Sequence, residues 1–134
     1  MPTVYLPVEL INRELLARAF LSVKLANSNH QVYVFEHTFF DRNNWHKKGI
    51  YIGKNCFRTE VPYNKFFYKK MKESGVNLWY LDEEGGVYPG ASADWAEFLL
   101  CRLHPNDLDK KDKILVWGNW QKKVFDSYNS GAET

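Results

Sequence analysis

The stretch that decides the fold is Thr3-Val4-Tyr5-Leu6-Pro7-Val8, because a helical pattern and a second strand pattern at His30–Phe35 follow it directly. Its short apolar run is typical of a buried strand. Between the two strands, residues 9–26 repeat apolar side chains at helical spacing. A strand, a helix and a strand in this order form a unit whose two strands lie parallel. The opening of the chain therefore predicts an α/β fold.

The predicted first helix has two faces of different chemistry. One face carries apolar side chains at helical spacing: Leu15, Leu16, Ala19, Phe20 and Val23. The opposite face carries Glu14 and Arg18 together with Leu21 and Leu25. Because both faces contain large apolar residues, we expect the helix to be partly covered on both sides.

The alternation of strand and helix patterns continues along the chain. Further strands are predicted at Gly49–Gly53, Val76–Leu81 and Ile114–Trp117, and further helices at Tyr63–Ser74, Ala93–Leu103 and Gln121–Tyr128. The pattern predicts one Rossmann-like, three-layer domain over residues 1–128, with a parallel sheet of about five strands and a frayed tail at 129–134. We predict the strand order 3-2-1-4-5, numbered along the chain. An α+β domain is the alternative.

Composition limits the class of protein. A chain of 134 residues is expected to form one domain. A net charge of +2 is too small to indicate nucleic acid by itself. Cys56 and Cys101 lack the spacing of metal ligands and fit free thiols in a reducing compartment. No secretory signal and no membrane-spanning apolar run is visible. We therefore expect a cytoplasmic protein, with at most peripheral contact with the inner membrane.

Charge and aromatic residues are unevenly distributed. Residues 42–72 are rich in Lys and Arg and contain a single acid, Glu60, whereas residues 82–97 are acidic. A basic segment followed by an acidic turn fits a cleft for an anionic ligand, although solvated helix faces give the same pattern. Trp45, Trp117 and Trp120 fit stacking on sugar rings, and core packing is the alternative.

The candidate site residues follow the predicted strands, because ligands of open parallel sheets bind beyond the strands' carboxyl ends. Crowded carboxylates after the fourth strand raise the pKa of at least one of them, which suits a general base. The catalytic candidates are Asp82, Glu83 and Glu84. The binding candidates are Glu9 and Arg13 after the first strand, Lys54 after the third, Gly85 after the fourth and Gly118 after the fifth. No dinucleotide, P-loop or serine-hydrolase motif occurs, and no metal site is expected.

Several sequence blocks carry a resemblance to a known family. They are Tyr5-Leu6-Pro7-Val8-Glu9 with Asn12-Arg13-Glu14-Leu15, Gly49–Lys54, Leu81–Gly85, and Val116-Trp117-Gly118 ahead of Gln121-Lys122. Together they resemble bacterial surface-carbohydrate biosynthesis proteins, which are glycosyltransferases of the GT-B type in capsule and O-antigen assembly. The chain departs from the family pattern at Leu16, where an acid is expected.

The resemblance implies transfer of a sugar from a nucleotide-activated donor to a glycan acceptor. It implies an N-terminal, acceptor-side domain whose base is Glu83 or Glu84 ahead of Asp82, with no metal and no cofactor. The nucleotide sugar is expected to bind only when a second domain is present, so the chain is expected to be inactive alone. Expected partners are a glycan acceptor or nucleotide sugar, a C-terminal partner domain, or a second copy of the chain.

Two other functions are compatible with the same residues. One is a non-catalytic α/β binding or interaction module, in which the basic and aromatic stretch Trp45–Lys72 holds an anionic glycan or a protein partner. The other is a small flavodoxin-like enzyme, which a bound flavin would reveal by its colour. Nucleic-acid binding is less favoured, since no reader motif is present.

Overall fold

The computed structural model describes residues 1–38, 48–54, 61–82, 91, 94–103 and 108–128. Within these residues the strands are β1 (Thr3–Val8), β2 (Gln31–Glu36), β3 (Gly49–Gly53), β4 (Val76–Leu81) and β5 (Lys113–Leu115). The helices are α1 (Ile11–Asn27), α2 (Pro62–Glu73), α3 (Trp95–Arg102) and α4 (Asn119–Ser127). All strand pairs are parallel. The predicted Rossmann-like α/β class with a five-stranded parallel sheet is confirmed.

The strand order differs from the prediction. The sheet runs β2-β1-β3-β4-β5, so the predicted order 3-2-1-4-5 is wrong. β3 lies beside β1 in the middle of the sheet, and β2 is at the edge. The close approach of β3 to β1 depends on glycine, since a Cβ on Gly49 would lie 2.5 Å from the Thr3 carbonyl oxygen. β1 is buried along its whole length, as its central position requires.

Two layers of side chains cover the sheet. On one face Tyr5, Tyr51, Leu78 and Tyr80 join the main core. That core also takes residues from three helices: Phe67 and Met71 of α2, Leu99 of α3 and Phe125 of α4. On the other face Val4, Leu6 and Ile52 form a smaller core, against which Leu21 and Leu25 of α1 pack. The three-layer arrangement follows from this alternation of residues along each strand.

The orientation of α1 favours one of its two faces. The face with Glu14, Arg18, Leu21 and Leu25 lies on the sheet, and Glu14 and Arg18 are buried. The other face, which the apolar pattern of the sequence emphasises, is exposed. Its large apolar residues are Ile11, Leu15, Leu16, Phe20 and Val23. The expectation that both sides are partly covered is therefore wrong for the described part of the chain.

A buried carboxylate organises the amino-terminal edge of the sheet. Asp112, just before β5, is fully buried and accepts hydrogen bonds from Lys72 Nζ at 2.7 Å and Leu78 N–H at 2.8 Å. It also accepts from Tyr68 Oη at 3.2 Å and Asp109 N–H at 3.1 Å. Because a buried charge is tolerated only when it is paired and hydrogen-bonded, this network joins α2 to β4 and β5.

Candidate functional site at the carboxyl edge of the sheet

The connections of the sheet change direction between β1 and β3. The chain leaves β1 through α1 to reach β2 on one side, while β3 lies on the other side of β1. Such a switch point opens a crevice in which the ligands of open parallel sheets bind. β1 pairs with β3 at Val4 and Tyr5, whereas its pairing with β2 extends to Val8. The crevice therefore lies at the carboxyl ends of β1 and β3.

Glu14 is the anchor of this edge. Its Oε2 accepts a hydrogen bond from the Glu9 N–H at 2.7 Å and one from the Leu10 N–H at 3.4 Å. Its Oε1 accepts from Arg13 Nη2 at 2.8 Å and lies 3.5 Å from Lys54 Nζ. The side chain is only 3% exposed. The first N–H groups of a helix have no intrahelical partner. Glu14 accepts hydrogen bonds from the N–H groups that precede α1, and it thereby holds that turn against the first turn of the helix.

The electrostatic balance of the site keeps its charges ionised. Burial would raise the pKa of Glu14, but hydrogen bonds from Arg13 and the Glu9 N–H, with the charge of Lys54, outweigh it and lower that pKa. Burial would lower the pKa of Lys54, but Glu9 and Glu14 outweigh it and raise that pKa. Glu14 and Lys54 therefore remain charged together at neutral pH.

Glu9 and Arg13 are the accessible members of the cluster. Both side chains are about two-fifths exposed, and Arg13 Nη2 lies 3.9 Å from Glu9 Oε2. Lys54 lies deeper and holds Glu9 Oε2 at 3.0 Å. An open depression of about 700 Å³ is lined by Glu9, Leu10, Ile11, Asn12 and Arg13. The cluster thus presents both an acceptor and a donor to solvent beside an apolar wall.

A second group of polar contacts lies at the ends of β4 and β5. Asp82 is 1% exposed, and its Oδ1 lies 3.3 Å from Arg102 Nη1 of α3. Its carbonyl oxygen accepts a hydrogen bond from the Trp117 indole N–H. The Trp117 main-chain N–H donates to Gln121 Oε1 at 2.6 Å. These contacts hold an indole that is 61% exposed at the carboxyl edge of the sheet.

The structure brings several of the predicted site residues together. Glu9, Arg13 and Lys54 meet in one cluster, as their positions after β1 and β3 imply. Asp82 lies at the same edge but is buried in an ion pair. Gly118 begins α4 in an extended conformation, and a Cβ added there meets nothing within 4 Å. Its position therefore does not require glycine. The remaining candidates, Glu83, Glu84 and Gly85, lie outside the described residues.

Two residues of the site were missed by reasoning from sequence. Glu14 was placed on a helix face without a role, and no standard signal marks it, because it lies four residues after the N-cap Leu10 and the capping-box acid lies three residues after a Ser or Thr. Arg102 gave no signal at all, because it comes close to Asp82 only through the packing of α3.

Comparison with known proteins adds no relative. No family model, curated protein or solved structure matches this chain. Among the described residues, no group of three or more His, Cys, Asp or Glu side chains is arranged to hold a metal ion. Within the same residues, no helix has the length and apolar character needed to cross a membrane.

Proposed function

We propose that this chain is the acceptor-side domain of a glycosyltransferase of surface-polysaccharide biosynthesis, and that it binds a carbohydrate at the carboxyl edge of its sheet. Donor binding and transfer then need a second, nucleotide-sugar-binding domain. The proposal places the chain in the cytoplasm, where a free thiol such as the exposed Cys101 persists.

The resemblance and the geometry point to the same edge. Glu9, Arg13, Lys54 and Asp82 come from three separate blocks that carry the resemblance: Glu9 and Arg13 follow β1, Lys54 follows β3 and Asp82 follows β4. Arg13 and Lys54 each lie within ion-pair distance of Glu9 at the switch point. Such convergence of polar side chains at a crevice supports a ligand site.

The charge of the cluster supports a hydroxylated ligand. The single observation that carries the proposal is the partly exposed pair of Glu9 and Arg13, which offers an acceptor beside a donor at the switch point between β1 and β3. A sugar hydroxyl both donates and accepts, so it can bridge the two. A simple anion is less suited, because Lys54 is already held by Glu9 and Glu14.

Trp117 follows β5, three strands away from β1 at the same edge, and we assign it a second contact with an extended glycan. Carbohydrate rings have apolar faces that pack on aromatic side chains, and an indole is the largest of these. The hydrogen bond from the Trp117 indole N–H to the Asp82 carbonyl oxygen fixes the ring before a ligand arrives, and the main-chain N–H bond to Gln121 fixes the backbone of Trp117. Ordering this ring on binding therefore costs little entropy.

Glu83 and Glu84 are the proposed general bases, ahead of Asp82. They follow Asp82 directly in the sequence. The ion pair of Asp82 with Arg102 suits a role in positioning that segment better than a role in proton transfer. In the assembled two-domain enzyme, Glu83→Gln or Glu84→Gln should reduce the rate of sugar transfer while leaving glycan binding unchanged. Unaltered transfer in both variants and in the double variant would refute the base assignment.

Glycan binding by the isolated chain tests the proposal directly. The probes are methyl glycosides of hexoses, N-acetylhexosamines and hexuronic acids, detected by saturation-transfer NMR and by shifts of the tryptophan indole N–H signals. Arg13→Ala or Glu9→Gln should weaken binding by roughly tenfold or more, because each removes a hydrogen bond to a charged group. Glu73→Gln is the matched control, since Glu73 is an exposed carboxylate at the far end of α2.

The outcomes separate the proposal from its alternative. Binding of neutral glycosides that depends on Glu9 and Arg13 supports a carbohydrate-acceptor site. Binding confined to hexuronic acids and abolished by Lys54→Ala would favour the alternative, a non-catalytic module for an anionic glycan. No binding of any glycoside to the wild-type chain would refute the carbohydrate site.

A further inference from the structure

The outward face of α1 is the most unusual surface of the described chain. Leu16 is 84% exposed and Phe20 is 66% exposed. Two further large apolar side chains on the same face are at least two-fifths exposed: Leu15 and Val23. We call these four residues the α1 apolar face. A solvent-facing helix normally presents polar residues on this side, so the usual arrangement is reversed.

The other helices show the usual arrangement. α2 directs Lys65, Lys69 and Glu73 to solvent, and α4 directs Lys122 and Asp126 to solvent. Smaller groups of exposed apolar residues also occur on these helices, such as the pair Tyr63 and Phe66 on α2. Among the described helices, α1 carries four large exposed apolar side chains on one face.

The size of the face matches one side of a weak interface. From the exposed fractions of its four residues, the α1 apolar face presents roughly 450 Å² to solvent. The largest apolar patch of an ordinary monomer is about 300 to 600 Å², and such a patch often marks a functional surface. Stable interfaces bury about 800 Å² on each partner, and weak or transient ones bury less than about 600 Å². The face therefore has the area that a weak self-association needs.

We propose that two copies of this chain associate through their α1 apolar faces, with the helices antiparallel across a twofold axis. A twofold interface uses the same patch on both copies, so it must be self-complementary in charge and shape. The outward side of α1 carries no acid, and its charged residue at the C-terminal end is Lys24. Antiparallel pairing also opposes the two helix dipoles and keeps the two Lys24 side chains apart.

Shape complementarity follows from the order of side chains along α1. Ala19 is a small exposed residue between the larger ones. With Ala19 near the twofold axis, the helices can approach closely. Leu15 and Leu16 of one copy then lie against Phe20 and Val23 of the other. The large side chains of each helix then fill the grooves between the side chains of the partner helix, as in ridges-into-grooves packing.

A membrane surface is a less suitable occupant. Helices that lie on membranes carry several Lys and Arg residues beside the apolar face to attract anionic lipids. In α1, the charge of Arg13 is offset by Glu9 and Glu14, so it adds little attraction for anionic lipids, and Arg18 is buried against the sheet. Lys24 remains beside the face, with its Nζ 5.5 Å from the Phe20 ring centroid. One lysine is too few for that mode of binding.

The test is the mass of the chain in solution, measured by sedimentation and light scattering from low micromolar to several hundred micromolar. We expect a dimer for the wild type and at least a tenfold weaker association for Leu16→Lys and for Phe20→Lys. Phe66→Lys is the matched control, because Phe66 is equally exposed on α2, and it should leave the dimer intact. The mutated side chains lie on the surface, so circular dichroism should show folded variants.

A covalent readout checks the geometry. With Cys56 and Cys101 replaced by serine, Ala19→Cys should form a disulfide-linked dimer under mild oxidation, and Lys65→Cys on α2 should not. A wild-type chain that stays monomeric at the highest concentration overturns the proposal. So does a dimer that Leu16→Lys leaves intact, or a monomer whose binding to phosphatidylglycerol vesicles depends on Leu16. The proposal does not depend on the carbohydrate site, because glycan binding can fail while the dimer persists.

Discussion

Replacing Glu14 by glutamine tests whether this residue holds the start of α1 in place. The carboxylate makes two short hydrogen bonds, at 2.7 Å to the Glu9 N–H and 2.8 Å to Arg13 Nη2, and lies 3.5 Å from Lys54 Nζ. A hydrogen bond to a charged group contributes about 1.5–3 kcal/mol. Glutamine keeps one acceptor oxygen, but its NH₂ group replaces the other carboxylate oxygen. That NH₂ group cannot accept a hydrogen bond from Arg13 or Lys54. The substitution is nearly isosteric, so it leaves no cavity.

The size of the effect follows from what remains after the change. Arg13 is partly exposed and keeps water and Glu9 as partners, and Lys54 keeps Glu9 at 3.0 Å. Partial exposure screens those interactions, so only part of the lost energy should appear. We expect Glu14→Gln to lower the free energy of unfolding by about 2 to 3 kcal/mol. For a chain of this length that corresponds to a fall in Tm of roughly 7 to 10 °C.

The assay is urea and thermal denaturation followed by circular dichroism at neutral pH. Glu73→Gln is the control, because its exposed pair with Lys69 at 3.8 Å should contribute less than about 0.5 kcal/mol. If Glu14→Gln lowers the free energy of unfolding no more than Glu73→Gln does, the Glu14 carboxylate does not anchor the helix and the reasoning is wrong.

The pH dependence of the same variant gives an independent check. The folded-state pKa of Glu14 lies below its ordinary value of 4.5. The carboxylate therefore binds protons more readily in the unfolded chain, and its contribution is fully present above the unfolded pKa. That contribution is lost as pH falls through the folded pKa. The stability gap between wild type and Glu14→Gln should be constant from pH 8 to about 6 and should narrow below about pH 4.5. A gap that stays constant down to the acid transition would contradict the assignment.

Two further changes test the packing of the sheet. Asp112→Asn should lower the free energy of unfolding by about 2–4 kcal/mol, because it breaks a fully buried network that includes Lys72. Urea denaturation measures the loss, with Asp126→Asn at an exposed position as the control. If both variants lose the same small amount of stability, the prediction is wrong. Gly75→Ala should lower the free energy of unfolding by about 1–2 kcal/mol, since Gly75 has φ of 74° at the end of α2. The added Cβ would make only ordinary contacts with Lys48, at 3.7 Å, so the loss comes from backbone strain. An unchanged Tm in that variant would refute the strain.

Local patterns in the sequence were sufficient to predict the elements. The bounds of β1, β3 and β4 agree with the strand patterns at Thr3–Val8, Gly49–Gly53 and Val76–Leu81. β5 is shorter than predicted and ends at Leu115. Turn and breaker residues explain this success, since Gly49, Gly53 and Gly75 bound the elements by their backbone chemistry. Strand and helix type is therefore encoded locally in this chain.

The strand order could not be predicted in the same way, because it depends on the side of β1 on which each crossover connection places the next strand. Two signals point to the observed order once it is known. β2 begins with Gln31 and ends with Glu36, and all of its residues are exposed or partly exposed, as suits an edge strand. β3 is bounded by Gly49 and Gly53, which allow close contact with Thr3 and Pro7 of β1. The placing of Lys54 beside Glu9 follows from this order, so the site could be predicted only in part.

The orientation of α1 links the site to the proposed dimer. With the observed face inward, the roughly 450 Å² of the α1 apolar face is left exposed. Association costs about 4–15 kcal/mol in lost translational and rotational freedom, so a face of this size is expected to give a weak dimer. Turning α1 over would bury the same surface within one chain, but it would separate Glu14 and Arg13 from Glu9 and Lys54. A second copy therefore covers the apolar face while the first turn of α1 stays in the crevice.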